Sequence, residues 1–234
     1  MRMILVATLA IVPLMAPLQG KDSEPVKRLH EAAEVLTEVM ATPDKGIPED
    51  LLEHANCIVI VPGLNTAAFI VGGKYGKGYI SCRVAAGWSA PATVRIEGGS
   101  VGFQIGGSQT DLIMLVMNAR GKEKLLASKF TLGAEGSVAA GPVGRTATAQ
   151  TDAQLKAEIL SWSRSQGLFA GVALEGATLR QDLDDNATLY GKKLENRQIV
   201  TTRVRTPKAG AKLIALLNRH SARERTSSTT GSSQ

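Results

Sequence analysis

Glycine pairs between runs of β-branched and apolar residues are the feature that most constrains the fold of this chain. In the segment Trp88–Asn118, the runs Ala92–Ile96 and Val101–Ile105 flank the pair Gly98-Gly99. A second glycine pair precedes the wholly apolar run Leu112–Met117. Because glycine reaches the positive φ values that tight turns need, the pattern predicts a meander of three antiparallel strands. The apolarity of the third run predicts a central strand covered on both faces.

A second glycine-rich segment, Gly72–Gly78, lies between the predicted strands Ala67–Val71 and Tyr79–Arg83. Its Gly-Lys dipeptide is followed by glycine and then by a strand, whereas a phosphate loop needs Ser or Thr and then a helix. We therefore exclude a nucleotide site. The segment instead predicts a hairpin that presents Lys74 and Lys77 at its tip, where both could touch an anionic surface.

Helical periodicity is clearest near the two ends of the chain. Apolar residues in Glu24–Met40 share one helical face, which predicts a helix that packs on the sheet or, alternatively, joins a partner in a coiled coil. Ala209–His220 predicts a final helix with basic neighbours such as Lys208, which either caps the domain or lies on an anionic membrane. The chain of 234 residues is thus expected to form one α+β domain. Its glycine-rich antiparallel β-sheet is expected to curl into a sandwich or partial barrel.

The two ends of the sequence have the composition of segments outside the folded domain. Residues 1–20 resemble a secretory signal peptide, with Arg2 before an apolar run from Met3 to Leu18. A short membrane anchor is the alternative, although the run contains Pro13 and is shorter than the ~20 apolar residues of a spanning helix. We expect an exported protein, periplasmic or extracellular, whose folded domain covers 24–220. The Ser/Thr-rich residues 221–234 are expected to form a disordered tail.

An exported chain with two cysteines, Cys57 and Cys82, invites a disulfide bond. Each cysteine lies at the end of a predicted strand, so neighbouring strands would bring them together. Two buried free thiols are the alternative. Two Cys and three scattered His give no ligand spacing, so we expect no metal site, and we expect no cofactor.

The segment Leu179–Tyr190 is polar, acidic and compatible with a helix. Three of its side chains alternate as in the first half of an EF-hand loop, namely Asp182, Asp184 and Asn186. However, Ala187 occupies the position at which that loop requires glycine. We therefore expect a solvated loop or a helix start and not a calcium site.

Charge and the absence of a catalytic pattern favour a binding protein. The net charge of +6 suits anionic partners such as phospholipid headgroups. His30, His54 and His220 lie far apart in unlike contexts. No nucleophile and base can be assembled from these residues, so we do not expect an enzyme.

Several of these segments, in this order along the chain, resemble the SYLF family, a lipid-binding domain that is also described as actin-binding in eukaryotes. The resemblance covers roughly Glu24 to Lys192. The matching segments are Phe69–Gly73, Gly76–Gly78, Gly87–Pro91, Gly98–Gly106, Thr110–Leu112, Ala139–Arg145, Ser163–Gly171 and Leu189–Gly191.

The resemblance implies a binding module for anionic phospholipids, phosphoinositides among them in eukaryotic members, and not an enzyme. The export signal and the lack of an SH3 or FYVE segment indicate the bacterial, exported branch, to which a lipid-binding tendency transfers but actin and phosphoinositides do not. We expect anionic membrane lipids as partners and no nucleic acid. A structural or protein-interaction role in the envelope, like the actin-binding scaffold of eukaryotic relatives, is the alternative. The candidate lipid contacts are basic residues at or near predicted turns, namely Lys74, Lys77, Arg83, Arg145 and Arg164.

Overall fold

The computed structural model describes residues 22–41, 46–69, 71–101, 106–143, 156–165, 168–171, 174 and 176–221. Within these residues, one 10-stranded sheet curls into a half-barrel with helices on both of its faces. This architecture confirms the predicted α+β class. No helix among the described residues combines the length and the apolarity that crossing a membrane would require.

Most of the pairings in the sheet join strands that are not neighbours in sequence. The strands are β1 Cys57–Phe69, β2 Val71–Val84, β3 Gly87–Trp88, β4 Ala92–Val101, β5 Gly106–Val116, β6 Lys129–Thr131, β7 Val138–Ala140, β8 Ile159–Ser165, β9 Leu168–Gly171 and β10 Thr178–Gln181. Their order is β6-β10-β4-β2-β1-β5-β8-β7, with β3 beside β2 and β9 beside β8. The pairing of β7 with β8 is parallel, and the other pairings among the described strands are antiparallel.

Different helices cover the two faces of the sheet. They are α1 Glu24–Met40, α2 Glu49–His54, α3 Ala119–Leu125, α4 Leu183–Tyr190, α5 Asn196–Thr201 and α6 Ala211–His220, the last preceded by the 3-10 turn Lys208–Gly210. Buried side chains of α1, α2 and α6 pack on one face, and those of α3 and α5 pack on the other. The packing of α1 and α6 agrees with the predicted helices at the two ends of the domain.

Alternating side chains along the central strands build both cores. In β5, Leu112, Met114 and Val116 enter one core, while Ile113 and Leu115 enter the other. All five are buried, and β5 lies between β1 and β8. The prediction of a central strand covered on both faces is confirmed. Full burial of each such side chain contributes about 1.5–3 kcal/mol, so this strand is a main source of stability.

The glycine-rich segments lie within strands, so the predicted turn positions are wrong. Gly98-Gly99 is part of β4 and pairs with Gly73 and Lys74 of β2. Likewise, Gly72–Gly78 is extended within β2 instead of forming a hairpin tip. Close approach explains the glycine at Gly78, because a Cβ there would lie 2.1 Å from the Ile60 carbonyl oxygen.

Cys57 and Cys82 form a disulfide bond between directly opposed positions of β1 and β2. Both residues are fully buried in the core. The bond closes a loop with a sequence separation of 25 residues. In the chain-entropy model, a loop of this size stabilises the fold by about 3 kcal/mol.

The acidic segment divides into a strand and a helix, which corrects the prediction of one helix over Leu179–Tyr190. Thr178–Gln181 is β10, and Asp182 caps the N-terminus of α4 by accepting a hydrogen bond from the Asp185 backbone N–H at 3.1 Å. The expectation of a helix start is thus correct for the aspartates themselves.

Candidate functional site

The basic residues predicted from turns do not share one surface. Lys74 and Lys77 both belong to β2, and strand alternation points them to opposite faces. The Lys77 ammonium lies 2.7 Å from a carboxylate oxygen of Asp182 and 3.1 Å from one of Asp185. Burial lowers the pKa of Lys77, but the hydrogen bonds and negative charges of the two aspartates outweigh that effect and raise it. The ion pairs of Lys77 therefore join β2 to the N-terminal end of α4.

Arg83 is buried and holds three elements together. Its guanidinium donates to the Ser221 carbonyl oxygen at 2.6 Å and to the Leu52 carbonyl oxygen at 3.1 Å. It also lies 4.2 Å from the centre of the Trp88 ring, within the range of a cation–π interaction. These contacts fix the C-terminal ends of α2 and α6 against the sheet, so they leave little of Arg83 for a ligand.

Arg164 likewise links elements of the fold. Its guanidinium lies 2.8 Å from Asp111 on β5 and also pairs with Glu38 on α1. Lys74 differs from these residues, because its partly exposed side chain has no ion-pair partner within the described part of the chain. Arg145 lies outside the described residues.

A cleft of about 790 Å³ lies between the C-terminal end of α4 and the segment that joins α5 to α6. We call it the basic groove. The apolar and aromatic side chains that line it are Leu189, Tyr190, Leu194, Val204 and Pro207. Its basic side chains, all of them exposed, are Lys192, Arg203, Arg205 and Lys208.

The four cations of the basic groove are not neutralised by the described protein. None of them has an ion-pair partner among the described residues, and no carboxylate is among the described residues that line the cleft. Charges of one sign in a cleft focus the electrostatic potential and attract ions of opposite sign. The groove can therefore bind an anionic group, while its apolar side chains can contact the uncharged part of the same ligand.

A buried network of amides positions the α4 side of the groove. The Asn186 side chain is fully buried, accepts a hydrogen bond from the Thr93 backbone N–H at 2.9 Å and donates to the Leu194 carbonyl oxygen at 2.8 Å. Asn196 donates to the Thr93 carbonyl oxygen at 2.9 Å. Gly191 ends α4 with a φ of +71°, a conformation that favours glycine. The loop with Lys192 is thus fixed to the sheet at both of its ends.

Tyr190 and the ends of α5 and α6 complete the groove. The Tyr190 hydroxyl donates to the Pro91 carbonyl oxygen at 2.6 Å, and burial raises the pKa of Tyr190. A capping box formed by Glu195 and Gln198 begins α5. After α5, Pro207 stops the extended segment and accepts a hydrogen bond from the Gly210 N–H at 2.9 Å. Both Arg203 and Arg205 lie on this short, anchored segment.

A second cavity, of about 520 Å³, also contacts the segment between α5 and α6. We call it the Trp88 pocket. Its apolar lining residues are Val84, Ala85, Ala86, Trp88, Ala90 and Val204. Arg203 lines both this pocket and the basic groove, so the two cavities adjoin.

The described residues contain no group of three or more His, Cys, Asp or Glu side chains arranged to hold a metal ion. The basic groove instead depends on residues that sequence reasoning largely missed. The sequence pattern places Lys208 beside the last helix, but it does not single out Lys192, Arg203 or Arg205 as ligand-binding residues. A usable signal existed in the Arg-Val-Arg alternation at 203–205, because alternate residues of an extended segment point to the same side.

Comparison with known proteins adds a family match that includes the whole groove. The family model Ysc84, described as Las17-binding protein actin regulator, matches residues 97–220, which is more than half of the chain. That description is of a binding protein and not of a class of enzymes.

Several curated relatives align with most of this chain. The SH3 domain-containing protein PJ696.02 of Schizosaccharomyces pombe is 37% identical over 177 residues, which cover 74% of this chain and 41% of the relative. LAS seventeen-binding protein 3 of Saccharomyces cerevisiae is 34% identical over 179 residues, which cover 74% of this chain and 39% of the relative. The SH3 domain-containing YSC84-like protein 1 of Homo sapiens is 32% identical over 180 residues, which cover 76% of this chain and 52% of the relative. The chain therefore aligns with about half or less of each of these relatives.

Proposed function

This chain belongs to the Ysc84 (SYLF) family, and we propose that it is a non-enzymatic module that binds anionic phospholipid through the basic groove. One observation carries the proposal. Four exposed cations, none with an ion-pair partner among the described residues, line a cleft of about 790 Å³ that also contains apolar side chains. An anionic phospholipid has the matching chemistry, with a negatively charged phosphate beside an apolar body.

The two arginines suit a phosphate group. Guanidinium groups donate two parallel hydrogen bonds to phosphate oxygens, which gives both strength and orientation. Lys192 and Lys208 add positive charge on either side of Arg203 and Arg205. Each basic residue near an anionic membrane contributes about 1 kcal/mol, so four would give reversible attachment that salt weakens.

We further propose that this binding takes place in a cell envelope. The support is the signal-peptide pattern of residues 1–20, in which Arg2 precedes an apolar run. Export would bring the folded domain to an anionic lipid surface outside the cytoplasm. Localisation of the tagged full-length protein by cell fractionation tests this part of the proposal, and recovery in the cytoplasmic fraction alone would refute it.

Vesicle co-sedimentation tests lipid binding. The wild type is expected to sediment with phosphatidylglycerol vesicles at low salt, to be released at high salt, and to remain in solution with phosphatidylcholine vesicles. A groove variant, Arg203→Gln with Arg205→Gln, removes two charges from the site. A control variant, Lys129→Gln with Lys156→Gln, removes two charges from exposed residues that do not line the groove. Equal recovery of the wild type with both lipids would refute the proposal.

A protein-binding scaffold is the second candidate function. It is favoured by the names of the relatives, since LAS seventeen-binding protein 3 is named for a protein partner. Cross-linking in intact cells followed by mass spectrometry separates the two candidates. One dominant protein partner whose yield does not depend on the groove arginines would favour the scaffold.

A further inference from the structure

We infer that the Trp88 pocket receives an alkyl chain of the amphiphile whose charged group lies in the basic groove. The inference rests on the proposed function, which supplies the headgroup site. It adds that the protein can hold one anionic amphiphile molecule in solution, beyond attaching to the surface of a bilayer. The ligand class is a single-chain or double-chain lipid with a phosphate or carboxylate head.

The two cavities adjoin one short segment of chain. Four residues line both of them, namely Thr202, Arg203, Val204 and Thr206. Their volumes are about 790 Å³ and 520 Å³, and each falls within the range of roughly 300–1,000 Å³ typical of small-molecule sites. A ligand with its head near Arg203 therefore lies beside both cavities.

The distribution of charge determines the direction in which an amphiphile would lie. The basic groove contains four cations, whereas Arg203 is the one charged residue among the described residues that line the Trp88 pocket. That arginine lies where the cavities meet. The charged head therefore belongs in the basic groove, and the chain belongs on the far side of Arg203.

Three of the hydroxyl groups that line the Trp88 pocket already have hydrogen-bond partners in the protein. The Thr201 and Thr202 hydroxyls each donate a 2.6 Å hydrogen bond to a carbonyl oxygen of α5. The Ser89 hydroxyl donates to the Ala90 carbonyl oxygen at 3.0 Å and accepts from the Cys82 N–H at 3.0 Å. Hydrocarbon in the pocket would thus leave these hydroxyls with their hydrogen bonds, so their desolvation carries little cost.

The wall formed by Trp88 is fixed before any ligand binds. The indole N–H donates to the Ser221 hydroxyl at 2.9 Å, and the Trp88 backbone N–H donates to the Asn218 side chain at 3.2 Å. Arg83 packs on the ring from within the protein. Because these contacts order the wall in the free protein, binding does not have to order it.

Trp88 also provides a direct test. The chain has two tryptophans, Trp88 and Trp162, and Trp162 does not line the Trp88 pocket. We would titrate wild type, Trp162→Phe and Trp88→Phe with monomeric lysophosphatidylglycerol brominated in mid-chain, since bromine quenches indole fluorescence on contact. Quenching is expected in wild type and Trp162→Phe and not in Trp88→Phe. If Trp162→Phe does not fold, the comparison of the wild type with Trp88→Phe still shows whether the quenched tryptophan is Trp88.

Chain length and a blocking variant sharpen the test. Affinity for unbrominated lysolipids is expected to rise about fourfold per added methylene until the pocket is full. Ala86→Phe fills the mouth of the pocket from an exposed turn, and Ala127→Phe adds the same ring at an exposed position that does not line it. Ala86→Phe is expected to weaken lysolipid binding at least tenfold, while Ala127→Phe leaves it unchanged and both still sediment with phosphatidylglycerol vesicles.

The outcomes separate this inference from the proposed function. If vesicles bind the wild type but the brominated chain does not quench Trp88, the chain does not enter the pocket and the inference is wrong. Quenching that Ala86→Phe leaves unaltered would also refute it. If phosphatidylglycerol vesicles do not bind the wild type at all, the proposed function itself fails.

Discussion

Lys77, Arg83 and Arg164 show how the fold decides whether a basic residue can meet a ligand. All three are next to glycine-rich or polar segments in the sequence, which suggested exposed turns. In the structure, each cation joins elements that are distant along the chain, such as Arg164 with Asp111 and Glu38. Local sequence cannot reveal such pairs, because the partner carboxylates come from other elements.

Replacement of Lys77 is expected to destabilise the protein more than replacement of Lys74. Lys77→Ala leaves Asp182, with a side chain 4% exposed, without its ammonium partner and should lower the free energy of unfolding by about 2–3 kcal/mol. Lys74→Ala removes the same group from the same strand without breaking an ion pair and should cost less than about 0.5 kcal/mol. Urea denaturation measures both, and equal losses would contradict the assignment of Lys77 to a structural role.

Alkaline stability provides a second test at the residue scale. Burial raises the pKa of Tyr79, so its neutral form is favoured in the folded protein. Its contribution is fully present below the unfolded pKa of about 10 and is lost as the pH rises from there toward the higher folded pKa. The free energy of unfolding should fall with an added slope of about 1.4 kcal/mol per pH unit above pH 10.

Tyr79→Phe removes this slope, and comparison with the wild type isolates Tyr79 from lysines that deprotonate in the same pH range. The variant also loses the hydrogen bond from the hydroxyl to the Pro25 carbonyl oxygen, so it should be less stable at neutral pH by about 1–2 kcal/mol. The two stability curves should therefore converge above pH 10. Parallel curves up to pH 11 would show that Tyr79 ionises as freely in the folded protein as in the unfolded one.

At the scale of elements, apolar pattern was a better guide than glycine. The run Leu112–Met117 predicted a strand with two buried faces, because a short run that is apolar at every position is typical of a strand covered on both sides. Glycine pairs were ambiguous, because either a turn or a close approach between backbones can require them. Only the neighbouring strand resolves that ambiguity, as Ile60 does for Gly78.

Two glycine substitutions distinguish a position where another backbone lies too close for a side chain from a position where a side chain fits. Gly78→Ala would place a Cβ 2.1 Å from the Ile60 carbonyl oxygen, so the strand must move. We expect a loss of about 3 kcal/mol or more, or failure to fold. In Gly99→Ala the nearest atom, the Gly72 carbonyl oxygen, is 4.0 Å away, and the change should stay within about 1 kcal/mol. Thermal denaturation checks the pair, and similar effects of the two substitutions would contradict the explanation.

For the whole molecule, the fold class could be predicted from the sequence, while the place of the candidate site could not. Net charge and the family resemblance both pointed to an anionic partner. The groove assembles from Lys192 after α4 and from Arg203, Arg205 and Lys208 after α5. The Asn186 network fixes the chain between α4 and α5 against β4, and no local pattern encodes that contact.

The ratio of vesicle affinities between the control variant and the groove variant tests the central claim most directly. Both variants have the same net charge, so the ratio of their affinities reports the effect of the position of the removed charges and not of the total charge. At ~1 kcal/mol for each lost arginine, the groove variant should bind phosphatidylglycerol vesicles about 30-fold more weakly than the wild type at low salt. The control should stay within about threefold of the wild type, because an exposed cation away from the contact interacts weakly. A ratio near one would contradict the assignment of anionic lipid to the basic groove.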